Sequence, residues 1–324
     1  MKKGTWMKYL SILLLATLVV WSTPRARVQA DSQTIRIGIL QLSDHEALED
    51  SRLGFIGRLD ELGLTEGINV EFNYLNAQSD QANLPLMAET LVTWQSDLIL
   101  SIATPAAQAT ANATSEIPIL ATPITSFTAA NLVESDKQPN TNVTGTSAMS
   151  PIAEQLELLD NLVMNIRTIG FLYNSSEVNS QVQIEVAEFE AAKLGWETVR
   201  MSVANTNDVN QAVQSLLTRV DAIYIPTDNT VFAAMPVVSG MTRAANMPVI
   251  VGAVTGVTDG ALATVGIDFY QLGRQTAEMA YEILINGKKP QTMPIERQKE
   301  MRVVINEETA EAIGIVIPEN LRGE

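Results

Sequence analysis

In Phe171-Leu-Tyr-Asn-Ser-Ser-Glu-Val-Asn-Ser180 an apolar run that begins at Thr168 gives way abruptly to amide, hydroxyl and carboxylate side chains. A helix-like run then starts near Val182. The pattern is strand, polar loop, helix. Such a loop places polar groups at the carboxyl end of a buried strand, beside the free N–H groups of a helix start, where open α/β sheets hold ligands. The same residues are also the ordinary ones of a helix cap, so capping by Ser175 or Ser176 stands beside ligand contact by Asn174 and Glu177 as a reading of this loop.

The remainder of the chain sets the bounds. Its 324 residues suffice for two domains, and 46% apolar against 18% charged residues is a composition able to bury real cores. Lys2, Lys3 and Lys8 precede the apolar run Tyr9–Trp21, and Val28-Gln-Ala30 offers small residues where a signal peptidase reads, so residues 1–30 are expected to be an export signal or a retained N-terminal anchor. That segment holds five of the 21 basic residues and no acidic one, leaving 16 basic against 37 acidic side chains, a formal −21. A surface of that sign argues against nucleic acid as a partner. With no cysteine there is no disulfide framework, no thiolate metal site, no cysteine nucleophile and no lipid-anchored cysteine after the signal.

From Thr34 onward short β-branched runs alternate with longer helical ones. Strands are expected at Ile35–Leu40, Asn69–Tyr74, Asp97–Ser101 and Ile117–Leu120. Helices are expected at Ala47–Leu62, Gln81–Trp94 and from Thr104, which would cap an alanine-rich helix carrying Pro105 in its first turn. Four βα units imply a parallel sheet covered on both faces. The polar stretch Glu134–Asn142, ending in Val143-Thr-Gly-Thr-Ser147, reads as a crossing into a second lobe, where the alternation resumes with strands at Thr168–Tyr173, Glu197–Val203, Ala222–Pro226, Met247–Val251 and Gly260–Gly266. A helix over Tyr270–Asn286 is expected to return to the first lobe, with Val303–Ile305 and Glu307–Ile313 closing the second. The expected architecture is α/β: two Rossmann-like lobes with parallel sheets joined by a multi-crossing hinge, lobe 1 formed by 31–146 plus 267–288 and lobe 2 by 147–266 plus 289–324. Two facing sets of strand-end loops make a cleft that closes on a small molecule.

Catalytic chemistry has little to work with. The single histidine, His45, rules out multi-histidine zinc sites, and no Gly-x-Ser-x-Gly elbow, phosphate loop or dinucleotide fingerprint accompanies it. His45 is read as a polar residue of the cleft or its loop, or of the surface, rather than as a base. No cofactor, metal or catalytic residue is expected. The polar strand-end loops carry the stronger signal: Thr104, Thr125 with Ser126, and Asp228 with Asn229 recur at the same end of successive strands, where hydroxyls and helix-start N–H groups hold a carboxylate and Asp228 pairs with an ammonium. Each alone is equally a helix cap, with Asn229 capping the helix after Asp228.

Asn142-Val-Thr-Gly145, Leu172–Ser180, Ile225-Pro-Thr-Asp-Asn-Thr230, Gly260-Ala-Leu-Ala-Thr264 with Asp268–Arg274, and Ala103–Ala109 together resemble the ABC-transporter substrate-binding proteins of the tryptophan/tyrosine-binding type. The resemblance implies a type I periplasmic-binding-protein fold, an extracytoplasmic location, an aromatic amino acid or related small molecule as ligand, and a membrane permease as partner. An exported sensor that presents its closed form to a signalling receptor and an exported hydrolase on the same scaffold are the readings from other classes. A monomer is expected. The candidate ligand residues are Thr104, Pro105, Thr125, Ser126, Phe127, Asn174, Ser175, Glu177, Asn179, Asp228 and Asn229: the carboxylate on Thr104 and Thr125, the ammonium at Asp228, and Phe127 with the Asn174–Asn179 loop selecting the side chain. Two departures matter. Ser126-Phe127 stands where the family commonly carries Asp-Pro, which leaves Asp228 as the acid for the amine. The missing lipid-anchor cysteine leaves the N-terminal helix as the means of tethering.

Overall fold

The computed structural model describes residues 34–298 and 301–321; the expected export segment, residues 1–30, lies outside them. In chain order the first elements are β1 (Ile35–Gln41), α1 (Glu46–Glu61), β2 (Val70–Asn76), α2 (Leu84–Thr93), β3 (Leu98–Ile102), α3 (Thr104–Ala113), β4 (Ile119–Ile124) and β5 (Val143–Ser147). Next come α4 (Ile152–Leu162), β6 (Thr168–Asn174), α5 (Val178–Lys193), β7 (Glu197–Val203), α6 (Val209–Leu216), β8 (Ala222–Ile225), α7 (Asn229–Phe232) and α8 (Met235–Ala244). The last are β9 (Val249–Val251), α9 (Val254–Thr258), β10 (Ala263–Gly266), α10 (Phe269–Leu284), β11 (Glu296–Arg297), β12 (Arg302–Ile305) and α11 (Glu307–Ala312).

Two six-stranded sheets result, ordered β11-β5-β4-β3-β1-β2 and β12-β10-β9-β8-β6-β7. Every pairing is parallel except β10 with β12, which is antiparallel. Helices cover both faces, which is why β3 and β8 are buried at every position and read as unbroken apolar runs rather than alternations. Ile37, Ile39, Leu98, Leu100 and Phe55 centre the first core; Phe171, Tyr224 and Ile250 belong to one face of the second, with Ile223, Val251 and Phe232 on the other. This is the two-lobed type I periplasmic-binding-protein fold.

Two expectations need correction. Val143–Ser147 is not a crossing but the fifth strand of the first sheet, because its hydroxyls are satisfied inside the core: Thr146 Oγ1 bonds Thr122 Oγ1 at 2.7 Å and Thr276 Oγ1 at 2.8 Å, and Thr144 Oγ1 donates to Met293 O at 2.8 Å. Residues 289–297 do not belong with the second lobe either. Glu296 and Arg297 pair with Thr146 and Ser147, so the last change of sheet falls between Arg297 and Arg302. Helix α10 carries the chain back to the first lobe, where it lies so tightly on α1 that a Cβ at Gly273 would stand 2.0 Å from Ser51 O and one at Gly54 would stand 2.1 Å from Tyr270 O.

Candidate functional site

The carboxyl ends of the strands of both sheets converge on one pocket between the facing loops, whose free space in this arrangement is about 20 Å³, room for little more than a water molecule. Thr104 follows β3, Pro123 and Thr125 lie in and after β4, and Ala148 follows β5. His45, Ala47 and Leu48 come from the loop after β1 and the start of α1. From the second lobe come Asn179 at the start of α5, Thr227, Asp228 and Asn229 after β8, Phe232 at the end of α7 and Ala253 after β9; Phe269 opens α10. One part of the wall is apolar, built from Leu48, Phe232, Phe269 and the small residues around them. The other is polar.

Two fully buried carboxylates organise the polar wall. Glu177 accepts from Asn229 N (3.2 Å), Asn229 Nδ2 (2.5 Å), Asn179 Nδ2 (3.0 Å), Thr230 N (3.1 Å) and Thr230 Oγ1 (2.9 Å). Asp228 accepts from Asn174 N (2.5 Å), Ser180 Oγ (2.6 Å) and Val231 N (2.8 Å), the last capping α7. None of the ion pairs among the described residues involves either carboxylate. Burial, followed by the negative charge of Glu177, pushes the Asp228 carboxyl up to about 7. A cation delivered to this corner would relieve that cost.

The imidazole of His45 is the reverse case. The residue as a whole keeps some exposure, but Nδ1 is sealed from water, and burial lowers its pKa to about 4 despite the Asn229 hydrogen bond and the nearby Asp44 and Glu49. It is therefore neutral at physiological pH. His45 Nε2 lies 3.3 Å from Asn229 Oδ1 and the ring packs on Phe232 with centroids 5.8 Å apart. Two residues of the cavity wall each carry a buried atom with no hydrogen-bond partner: His45 Nδ1 and Asn179 Oδ1. Such atoms are costly to leave empty and are what a ligand's donors would fill.

Helix α3 begins on the wall without a side-chain cap, and its N-cap residue, Ala103, holds φ at 82°, a region alanine rarely adopts. Thr104, expected as the cap, is instead the first helical residue with its side chain on the cavity. Across the cavity Thr125 Oγ1 is 3.5 Å from Thr227 Oγ1, and Gln183 Nε2 bonds Thr227 Oγ1 at 2.6 Å and reaches Thr125 Oγ1 at 3.4 Å.

Of the eleven candidate residues, Thr104, Thr125, Asn179, Asp228 and Asn229 line the cavity. The others stand elsewhere. Phe127 is packed in the first core, and Ser126 turns to accept from Ala129 N at 3.2 Å. Pro105 sits half-buried in the first turn of α3, off the wall. Ser175 is exposed, and its carbonyl accepts from Gln181 Nε2. Asn174 accepts from Ser176 N at 2.8 Å, donates to Thr230 Oγ1 at 2.8 Å and lines a separate open groove with Gln78–Ala82 and Ala204–Thr206. Glu177 points inward as the hub described above rather than at the cavity, and Asp228, not Asn229, caps α7. Sequence reasoning gave His45 a place in the cleft or its loop as one reading but no ligand role, and it left out Thr227 and the apolar wall. Thr227 and Phe269 fall inside the quoted motifs Ile225–Thr230 and Asp268–Arg274; Leu48 and Phe232 carried no signal beyond core periodicity.

Fold and site together define a two-lobed solute-binding protein. The family model described as ABC transporter substrate binding protein matches residues 36–324, and the chain belongs to that family. It is 39% identical over 277 residues to the tyrosine-binding protein of Clostridioides difficile (strain R20291), covering 86% of this chain and 80% of the relative. The crystal structure of an ABC domain in complex with L-Trp from Streptococcus pneumonia is 36% identical and superposes with a TM-score of 0.86, over 89% of this chain and 97% of that one. A ligand-free, open substrate-binding protein with adhesive properties from Clostridium difficile is 39% identical over the same shares, yet its TM-score is 0.68. The family consists of binding proteins, and this chain is not an enzyme.

Proposed function

We propose that this protein is the extracytoplasmic solute-binding protein of an ABC importer and captures a zwitterionic aromatic amino acid, tryptophan, tyrosine or phenylalanine, between its lobes. The observation that carries the reading is the two-sided cavity: an aromatic and aliphatic wall faces a polar wall that holds the buried Asp228, is backed by the buried Glu177, and includes two residues with unpartnered buried acceptors, neither carboxylate being in an ion pair among the described residues. The ligand carboxylate would take the uncapped start of α3 with the Thr104 and Thr125 hydroxyls, since free helix-start N–H groups are ready anion sites. Its ammonium would sit at Asn179 Oδ1, in the field of Asp228. Tyrosine and tryptophan as the ligands of relatives more than a third identical support the same class.

Closure of the lobes on the ligand is supported by the better match to the L-Trp complex, TM-score 0.86, than to the open relative, 0.68, although the open relative is slightly more identical, 39% against 36%. A single copy delivering its ligand to a membrane permease, after export directed by residues 1–30, completes the reading. No helix of the described residues is long and apolar enough to cross a membrane. A thermal-shift panel of amino acids followed by calorimetry tests the assignment. Stabilisation by aromatic amino acids is expected; stabilisation by another solute class alone would refute the ligand, and no response to any small solute would refute the receptor.

A further inference from the structure

His45 and Asn179, both on the cavity wall, each carry a buried acceptor without a partner, in different surroundings, and an amino acid ligand has only one ammonium. Asn179 Oδ1 belongs to the acidic corner: its own Nδ2 bonds Glu177 Oε2 at 3.0 Å and Thr227 O at 2.9 Å, beside Asp228. A cation is stabilised there. His45 Nδ1 belongs to the aromatic side, on a ring that leans on Phe232 at 52° and shares the wall with Leu48 and Phe269.

The chemistry of that atom is fixed by a chain of hydrogen bonds that starts at Glu177. A carboxylate accepts only, so the amide group 2.5 Å from Glu177 Oε2 is Asn229 Nδ2, and Asn229 Oδ1 faces the other way. The His45 nitrogen 3.3 Å from that oxygen must donate, so Nε2 carries the proton. Nδ1 of the neutral ring is then a bare lone pair, buried and without a partner. Glu177 and Asn229 act as positioning residues that select this tautomer.

We propose that His45 Nδ1 accepts the ring N–H of tryptophan or the ring O–H of tyrosine, and that this bond makes the protein discriminate both from phenylalanine. The inference rests on the aromatic amino acid reading above and adds the residue that reads the ring. A site built around an acceptor rejects the analogue that lacks the donor, because the acceptor is then left buried and empty.

Calorimetry on the full chain with tryptophan, tyrosine, phenylalanine and N1-methyltryptophan is the test. Wild type should bind tryptophan and tyrosine roughly 10- to 100-fold more tightly than phenylalanine, the range of one orphaned buried acceptor, and N1-methylation should cost tryptophan at least as much. His45→Leu should bring tryptophan and tyrosine down to the phenylalanine level while phenylalanine itself moves less than about threefold. His45→Gln, whose amide can donate to Asn229 and still offer an oxygen, should restore part of the preference. Equal wild-type affinity for phenylalanine and tyrosine overturns the proposal even if His45→Leu fails to fold. Equal loss of all three ligands in His45→Leu overturns it too, and leaves His45 a contact between lobes with the receptor reading intact. Binding of no aromatic amino acid by wild type overturns both.

Discussion

Glu177 gathers five hydrogen bonds in the interior of the second lobe without an ion-pair partner among the described residues, and Asp228 gathers three more beside it. Glu177→Gln keeps the shape but turns one acceptor into a donor facing donors. It should lower stability by about 3 kcal/mol, the scale of a broken buried charged network, read as a shift in denaturant midpoint at unchanged slope. Asp228→Asn removes the negative charge from the ammonium corner and should weaken amino acid binding roughly tenfold to a hundredfold, as loss of a charged hydrogen bond does. The titrations of Asp228 and His45 oppose one another. Asp228 has its pKa raised from 3.8 to about 7, so the fold favours its protonated form and loses that contribution as pH rises from about 4 to 7. His45 has its pKa lowered from 6.5 to about 4, so the fold favours the neutral ring and loses stability as pH falls through that interval. Melts between pH 4 and 8 should show Asp228→Asn gaining on wild type as pH rises to 7, and His45→Gln gaining as pH falls below 6.5. Two flat difference curves would mean that neither group is perturbed as its burial implies. The strand-end position of Thr104, Thr125, Asn179, Asp228 and Asn229 was legible because their side chains follow buried strands or start helices. The direction of a loop side chain was not: Glu177 and Asn179, two residues apart, face the core and the cavity, and nothing in composition separates them.

Helices α1 and α10 set the position of two wall residues from distant parts of the chain, His45 before the one and Phe269 at the start of the other. Their backbones approach through Gly54 and Gly273, where a methyl group would stand 2.1 Å and 2.0 Å from backbone oxygens of the opposite helix. Those atoms cannot step aside as a side chain tip would. Gly273→Ala should therefore cost about 3 kcal/mol, the upper range of overpacking, although alanine is intrinsically the better helix former. By displacing Phe269 it should also weaken ligand binding, whereas Gly240→Ala in α8, with nothing within 4 Å of its added methyl, should stabilise slightly. Comparing the two melts isolates the crossing; equal effects would show that it tolerates a wider spacing. The elements themselves were legible from periodicity, as β7 and α5 illustrate, and Gly54 and Gly273 fell inside readable helices. Their role was not legible, since it depends on which helices meet. Val143–Ser147 misled for a related reason: a Thr-Gly-Thr-Ser run looks solvated until Thr122, Thr146 and Thr276 are found satisfying one another in the interior.

At the scale of the molecule, the lobes meet around the cavity through few and long polar contacts, 3.3 Å for His45 to Asn229 and 3.5 Å for Thr125 to Thr227. Hydrogen bonds of that length hold little. Against them stand the unpartnered acceptors and the buried Glu177–Asp228 pair, which on the proposed reading make a closed arrangement costly until a ligand supplies donors and a positive charge. The balance predicts a ligand-dependent closure rather than a permanently shut molecule. Small-angle scattering on the full chain should give a radius of gyration that falls when tryptophan or tyrosine is added, with no change on adding an acidic solute that lacks an ammonium. The same ligand at 100 times its Kd should add about 2.7 kcal/mol of stability. For a chain of this size that is a rise in Tm on the order of 5 °C. The two readouts separate the parts of the argument. A rise in Tm without contraction would mean a preformed cavity that admits its ligand by local motion. Contraction that survives Asp228→Asn undiminished would remove the buried charge from the driving force and leave closure to the apolar wall of Leu48, Phe232 and Phe269.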